Sequence, residues 1–254
     1  MIIAAPALWI HHEQPAIIRT NDLAIFPFPF FLGVAALSAP INLGTAGGTN
    51  SGATSMVITT SGNVPTGSTI VVACMVNNTG STGASSVTDS ASNTYTSRID
   101  VAMNSTGYGA VQFWEAHNVS ALSSGSSITI AFASGQRSYV AAAAATNAQT
   151  NPYDTKNNTT GSNTSSGSHA ISLTTASNNE IAFGIIWGQN TGDLTNDGTW
   201  TALTAPTTQG SSAGQYSEFV WAYKLFPTAG SATYTPSSST GGNGWQTGIV
   251  AFKQ

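Results

Sequence analysis

Five short segments of this chain recur once, in the same order, roughly a hundred residues further along. Val57-Ile58-Thr59-Thr60 matches Ser172-Leu173-Thr174-Thr175, and Ile70-Val71-Val72-Ala73 matches Ile181-Ala182-Phe183-Gly184. Asn93-Thr94-Tyr95-Thr96 matches Gly198-Thr199-Trp200-Thr201, and Phe113-Trp114-Glu115-Ala116-His117 matches Phe219-Val220-Trp221-Ala222-Tyr223. Val140-Ala141-Ala142-Ala143 then matches Gly248-Ile249-Val250-Ala251. The gaps between matches fall in polar loops. A unit of this length exceeds the repeats of about 20–50 residues that build solenoids, so the series predicts a duplicated half-sandwich or two sandwich domains in tandem.

The matched segments read as strands. From about residue 53 onward, short runs rich in β-branched and aromatic residues alternate with Gly/Ser/Asn/Thr clusters, the pattern of an antiparallel sandwich or barrel. Ser127-Ile128-Thr129-Ile130-Ala131-Phe132 alternates cleanly and predicts one apolar face. Glu180-Ile181-Ala182-Phe183-Gly184-Ile185-Ile186-Trp187 does not alternate and predicts a strand covered on both sides. The alanine run at 141–145 has the local propensity of a helix, but its place in the repeat assigns it to a strand. The expected fold is all-β: an antiparallel β-sandwich, jelly-roll-like, built from two diverged copies of one strand pattern. The expected division is an extended arm at 1–45, a first repeat at 46–147, a polar connector at 148–167 and a second repeat at 168–254, the two repeats forming one body.

The arm departs from the rest in composition. Residues 23–37 are strongly apolar and contain Phe26-Pro27-Phe28-Pro29-Phe30-Phe31-Leu32. A signal peptide fits poorly, because the preceding stretch is long and carries Glu13 and Asp22 with Arg19 as its one cation. The run is shorter than the ~20 residues that span a bilayer, and its prolines disrupt a helix. An extended segment is expected instead, with Phe26, Phe28, Phe30, Phe31 and Leu32 as the residues that contact a partner, in the manner of strands that complete a neighbour's sheet.

Charge excludes further classes. Only 6% of residues are charged, against roughly 25% in an average soluble domain. The six Lys and Arg are scattered along the chain, so no cationic face for nucleic acid is expected. The single cysteine, Cys74, lies in an apolar run and reads as a small buried hydrophobe. His11-His12-Glu13 cannot easily converge on one metal from a strand. Asp193–Gly198 lacks EF-hand spacing and reads as turn chemistry. No hydrolase elbow, metalloprotease helix or P-loop sequence occurs. Asp89, Asp100, Glu115, Glu180 and Glu218 are the acids from which a catalytic pair would be drawn, and no pairing among them follows from sequence. No cofactor and no metal are expected, and the chain reads as non-enzymatic.

The segment Ser86-Val87-Thr88-Asp89-Ser90-Ala91-Ser92-Asn93-Thr94-Tyr95, followed by Phe113–Val119 and by Asn151-Pro152-Tyr153-Asp154, resembles a β-sandwich family found among tailed-phage structural proteins and bacterial surface proteins. Members carry a "VTDSxGNTY" hairpin, whose glycine is Ser92 here. The resemblance covers about residues 53–254 and excludes the arm. It implies architecture and leaves the role open. Together with the arm, it makes a structural protein of a virus particle the leading expectation: a phage capsid decoration or cement protein, located in the virion. Its partners would be further copies of itself or a major capsid protein. The alternatives are a surface filament or adhesin subunit that donates its arm, at the cell surface or outside the cell, and a carbohydrate-binding module with Trp200 and Trp245 stacking on glycan.

Overall fold

Alternation along 127–132 produces the strand it predicts: Ile128, Ile130 and Phe132 are buried and the residues between them are half-exposed. A computed structural model of the chain describes residues 37–48, 52–78, 83–102, 109–133, 136–147, 151–161, 166–189, 193–203, 207–210, 216–239 and 244–254. Among the described residues every element is a strand and every pairing is antiparallel. No described helix is long and apolar enough to cross a membrane.

The first copy contains β1 (Ile41–Gly48), β2 (Ser55–Thr59), β3 (Thr69–Asn78), β4 (Ala84–Asp89), β5 (Thr96–Ala102), β6 (Ala110–Ala116), β7 (Ser127–Phe132) and β8 (Gln136–Thr146). They form one sheet in the order β1-β8-β3-β6-β5 and a second in the order β2-β7-β4. Successive strands cross from sheet to sheet except at the β5–β6 pair, which gives the eight-strand jelly-roll path. The second copy begins with β9 (Tyr153–Gly161), β10 (Gly167–Ser168), β11 (Ile171–Thr174), β12 (Glu180–Gln189) and β13 (Leu194–Thr195). It continues with β14 (Thr201–Ala202), β15 (Thr207–Gly210), β16 (Tyr216–Phe226), β17 (Ser231–Tyr234), β18 (Ser237–Ser238) and β19 (Gly244–Lys253). Its large sheet runs β14-β16-β12-β19-β9, with β15 also on β16. Its outer layer pairs β11 with β17 and, further along, β10 with β18 and β13. This is the same path with three strands interrupted: β10/β11, β14/β15 and β17/β18 each stand where the first copy has one strand. Pro236, which cannot donate to a ladder, lies in the last of these breaks.

The copies match beyond topology. In β1, Leu43 is an extra residue between the Asn42–Ala144 and Gly44–Ala143 pairs. In β9, Asp154 is extra between the Tyr153–Phe252 and Thr155–Ala251 pairs. The match of Val140 with Gly248 carries Ala143 and Ala144 onto Ala251 and Phe252, so one β-bulge occupies one place in both copies.

Four layers of sheet enclose three large apolar cores and, among the described residues, a small fourth cluster of Ile186, Leu194 and Val220. The inner face of the first copy buries Leu43, Ile58, Ile70, Val72, Ile128 and Ile130, among others. The second copy buries Ile171, Leu173, Trp200, Phe226, Tyr234 and Ile249 in the same way. Between the copies, Val71, Ala73, Met75, Phe113, Val140, Ala142 and Ala144 meet Ile181, Phe183, Ile185, Trp187, Phe219, Trp221, Val250 and Phe252. The two large sheets are thus back to back, and β3, β8, β12 and β19 are buried on both faces. That is why Glu180–Trp187 shows no alternation. The alanine run is strand for the same reason, since small side chains let one sheet approach the aromatics of the other.

Two strands differ from the sequence reading. The arm was expected to extend to residue 45, yet Ile41–Gly48 pairs with β8. The connector was expected over 148–167, yet Tyr153–Gly161 pairs with β19. Both are the first, edge strand of their copy, and both are rich in Gly, Asn and Thr without apolar alternation. Two matches also differ from the ladders: Ala116 pairs with Ile70 while its match Ala222 pairs with Gly184, and the match of Ile70 with Ile181 is a residue out of register. Ile70 faces the core within its own copy and Ile181 faces the other copy. With both faces apolar, nothing in the strand's own pattern fixes its phase.

The hairpin at 86–96 closes around Asp89, whose Oδ1 accepts the amides of Ala91 and Asn93 and whose Oδ2 accepts Asn93 Nδ2 and the Tyr95 hydroxyl, both at 2.9 Å. Ser92 adopts φ 60° there, a left-handed conformation that costs a residue with a Cβ about 1–2 kcal/mol. Ser92→Gly is expected to stabilise the protein by about 1 kcal/mol, read as a higher midpoint in urea with unchanged slope. Phe183→Ala, at the centre of the shared core, is expected to cost about 3–5 kcal/mol. Calorimetry should then show both copies melting together in one transition. Two transitions would mean that the shared core does not couple the copies.

Candidate functional site

Duplication supplies an internal comparison: what both copies keep is scaffold, and what one copy changed is a candidate for a separate role. Several acids fall on the scaffold side. Gln112 in β6 accepts the Ala84 amide at 2.6 Å and donates to the Ala84 carbonyl, pinning β4 across the first sandwich. Its counterpart Glu218 in β16 accepts the Leu194 amide at 2.8 Å and pins β13 in the same way. Burial raises the Glu218 carboxyl above its ordinary range. Asp197, which the match sets against Ser92, braces its turn as Asp89 braces the hairpin of the first copy. Burial pushes its carboxyl up, but bonds from the Thr199 amide and hydroxyl and from the Thr235 amide outweigh this and hold it low. The loop at 193–198 is therefore turn chemistry. Asp100 is exposed on β5.

The copies part at the bulge. Leu43, Ile70 and Ala145 are buried together in the first core. Ile70 pairs with Ala145, and Glu180 pairs with Lys253. The equivalent trio in the second copy is Asp154, Glu180 and Lys253, an apolar set replaced by two acids and a base. Glu180 is 0% exposed. Its Oε1 accepts the Ser177 amide at 2.7 Å, and its Oε2 is buried without a donor. Its carboxyl is pushed up to about 7, chiefly by burial and in part by the Asp154 carboxyl beside it, against the opposing effects of the Ser177 bond and of Lys253. Asp154 Oδ2 accepts the Ala176 amide at 2.9 Å, while Lys253 Nζ stands 3.9 Å from Oδ1.

A second departure adjoins the first. Glu115 and His117, two apart on an extended chain, project to one side. Glu115 Oε1 lies 2.7 Å from His117 Nδ1, and Oε2 accepts Arg98 Nε at 2.6 Å. Arg98 is the extra residue of a bulge between the Ser97–Trp114 and Ile99–Phe113 pairs, and the bulge re-aims its side chain. The Glu115 side chain is fully buried, whereas that of His117 is 40% exposed. The sequence match sets Trp221 and Tyr223 against Glu115 and His117, and the ladders that align Ile70 with Glu180 set Leu225 and Pro227 there; neither pair repeats the acid and the histidine. Arg98 also sits over the Tyr153 ring, 4.2 Å from its centroid, and its carbonyl accepts Lys156 Nζ. A continuous polar string, His117-Glu115-Arg98-Tyr153-Asp154-Glu180, therefore crosses from the first copy to the second along β9. Three of the chain's six Lys and Arg residues, Arg98, Lys156 and Lys253, belong to it. In a chain so poor in charge, this seam is the candidate functional site.

The residues singled out by sequence are dispersed. Phe26, Phe28, Phe30, Phe31 and Leu32, with His11-His12-Glu13, lie outside the described residues. Trp200 is a core residue, 5% exposed, with Nε1 donating to the Thr233 carbonyl and its ring against Tyr234 and Phe226. It has no ring face open to a sugar. Trp245 is half-buried and packs on His169 at 4.2 Å, whose Nε2 is 2.8 Å from Ser238 Oγ. Burial lowers the His169 pKa. Cys74 is buried, and burial pushes its thiol far up. Among the described residues no three His, Cys, Asp or Glu side chains gather to hold a metal. A cavity of about 290 Å³ at the root of β1 is lined by uncharged groups, including Ser38, Ile41, Pro65 and Thr146. Sequence reasoning missed the seam. Its one legible signal was Glu115-Ala116-His117, an acid and a histidine at strand spacing.

Removing one partner of a buried ion pair leaves a charge uncompensated and costs about 3–5 kcal/mol. Arg98→Met is expected to fall in that range in urea denaturation. The double variant Arg98→Met/Glu115→Leu is expected to recover most of the loss, so a double-mutant cycle should give a large coupling between the two positions. Simple additivity would mean that Arg98 does not serve Glu115. No protein-family model, characterised protein or solved structure matches this chain.

Proposed function

We propose that the chain is a non-enzymatic structural protein of a virus particle, a decoration or cement protein of a phage capsid attached through its Phe/Pro arm. The observation that carries this reading is the surface of the outer sheets. Residues facing away from the core are Ser55, Val57 and Thr59 on β2, Ser86 and Thr88 on β4, Ser172 and Thr174 on β11, and Ser231 and Thr233 on β17, all exposed, and all but Val57 carry a hydroxyl. Both outer layers of the body thus present hydroxyls on extended, rigid strands. Such faces make many hydrogen bonds over a broad area with little charge, which suits an assembly contact. The "VTDSxGNTY"-like hairpin supports the same reading, and the arm supplies an apolar anchor that the polar body lacks. The partner is a major capsid protein, further copies of the chain, or both.

Half-buried Trp245 favours one second reading, glycan binding through a single stacking ring. Loss of glycan-array signal in Trp245→Ala would support it.

Native particle mass and composition test the main reading. The full chain is expected to co-purify with a multi-subunit particle at fixed stoichiometry. Deleting residues 1–36, which leaves β1 intact, is expected to abolish incorporation while the circular dichroism of the body stays unchanged. Incorporation at the full level without the arm, or a native protein that is a lone monomer, would overturn the reading.

A further inference from the structure

We propose that buried Glu180 keeps a proton beside the Asp154 carboxylate, and that its loss as the solution passes from acid to alkaline loosens β9 from the second sandwich, making the seam a pH-operated latch. The inference is independent of what surface the chain docks on.

Geometry carries it. Glu180 is wholly buried, and its Oε2 has no donor from the protein. A second carboxyl, Asp154, whose side chain is 7% exposed, lies in the same corner, since the two accept the adjacent amides of Ala176 and Ser177. Two carboxylates in contact in an apolar setting cannot both stay ionised cheaply, and one retained proton converts repulsion into a hydrogen bond. The charged groups facing the pair are few. β9 contributes Asp154 itself, and β19 contributes Lys253, 3.9 Å from Asp154 Oδ1. β16 places Phe226 opposite Glu180, and the turn before β12 offers only the Ala176 and Ser177 amides, one to each carboxyl. One base, paired with Asp154 at 3.9 Å, does not balance two acids, and a proton on Glu180 makes up the difference. The first copy shows that the same corner packs without charge, with Leu43, Ile70 and Ala145. The titratable corner is therefore an addition to the fold and not a requirement of it.

The mechanical consequence follows from where Asp154 sits. It is the bulge residue of β9, an edge strand held by β19 on one side. Tyr153 and Lys156 on either side of it reach Arg98 in the first copy. Repulsion at Asp154 thus acts on the strand that ties the copies at this rim. The proton is bound by the folded chain up to about pH 7 and by the unfolded chain only up to about 4.5. The stabilisation is then complete below the lower value and is lost as pH rises through the upper one.

The full-length protein would be unfolded in urea at pH 5.5 and pH 8, and amide exchange of β9 followed in parallel. The wild type is expected to lose on the order of tenfold more in its folding constant over this interval than Glu180→Gln, which keeps an N–H donor toward Asp154. β9 amides should lose protection at pH 8 relative to β12 in the wild type alone. The triple variant Asp154→Leu/Glu180→Ile/Lys253→Ala, which restores the first copy's residues, should be equally flat. This second variant keeps the test decisive if Glu180→Gln folds poorly. An identical pH dependence in wild type and variants would overturn the proposal. So would calcium chloride stabilising the wild type at pH 8 but not Glu180→Gln, because the pair would then hold a cation in place of the proton.

Discussion

The apolar layer between the two large sheets sets the terms for everything else in this protein. A sheet buried on one face needs apolar residues at every second position, but a sheet buried on both needs them throughout. β3, β8, β12 and β19 meet that demand, and their ladders leave no backbone group for water. The layer is filled by opposites in size: Val140, Ala142 and Ala144 lie on one side and Phe183, Trp187 and Trp221 on the other. Gly248 belongs to the same fit, since a Cβ there would come within ordinary contact of Ile99 and Phe113. Charge is driven to the rims, which is where the short supply of ionisable groups is found.

Packing of this kind is what two identical jelly rolls would make about a two-fold axis, with the same patch used on both sides. Equivalent residues accordingly meet across the middle: Gln254 Nε2 donates to Thr146 Oγ1, and each is the last buried residue of its copy's final strand run. The outer contacts also come in a pair. The first strand of one copy reaches the fifth strand of the other through Asn42 Nδ2 and the Leu203 carbonyl, and through Lys156 Nζ and the Arg98 carbonyl. Joining the halves in one chain frees each to diverge without disturbing a symmetric partner. The divergence is concentrated on one rim, along β9.

How much of this was legible follows the physics of each segment. Strands with one wet face announced themselves by alternation, and β7 is the clearest case. The doubly buried strands were legible as strands through the repeat but not in phase, so Ile70 was set against Ile181 when the two point to opposite faces. β1 and β9 were invisible because an edge strand rich in Gly, Asn and Thr takes its order from its neighbour's ladder and not from its own pattern. The seam was invisible for a related reason. Arg98 and Asp154 reach their partners only because each is a bulge residue, and a bulge leaves no mark in composition. Glu180 stood among five acids with no pairing, and its neighbour in the corner, Asp154, lies on β9, the strand that was not foreseen.

The contrast between the two versions of one corner bears on what the seam is for. Replacing a buried charged set with apolar residues of similar volume is often neutral or stabilising, and the first copy demonstrates that the apolar set fits this backbone. The charged version therefore contributes nothing to folding that Leu43, Ile70 and Ala145 do not already supply. What it adds is a dependence on conditions. An apolar corner has one state, whereas a carboxyl pair beside a lysine has a protonated and a deprotonated state with different demands on the strand that carries it. The same reasoning separates Glu115 from Glu180. Glu115 has a partner for each oxygen and locks β5 to β6, while Glu180 has a buried oxygen without a donor. The two sites are joined through Tyr153, with Arg98 on its ring and Asp154 next to it in the chain. A change at Asp154 is thereby felt at the contact between the copies, the one interface on which both sandwiches depend.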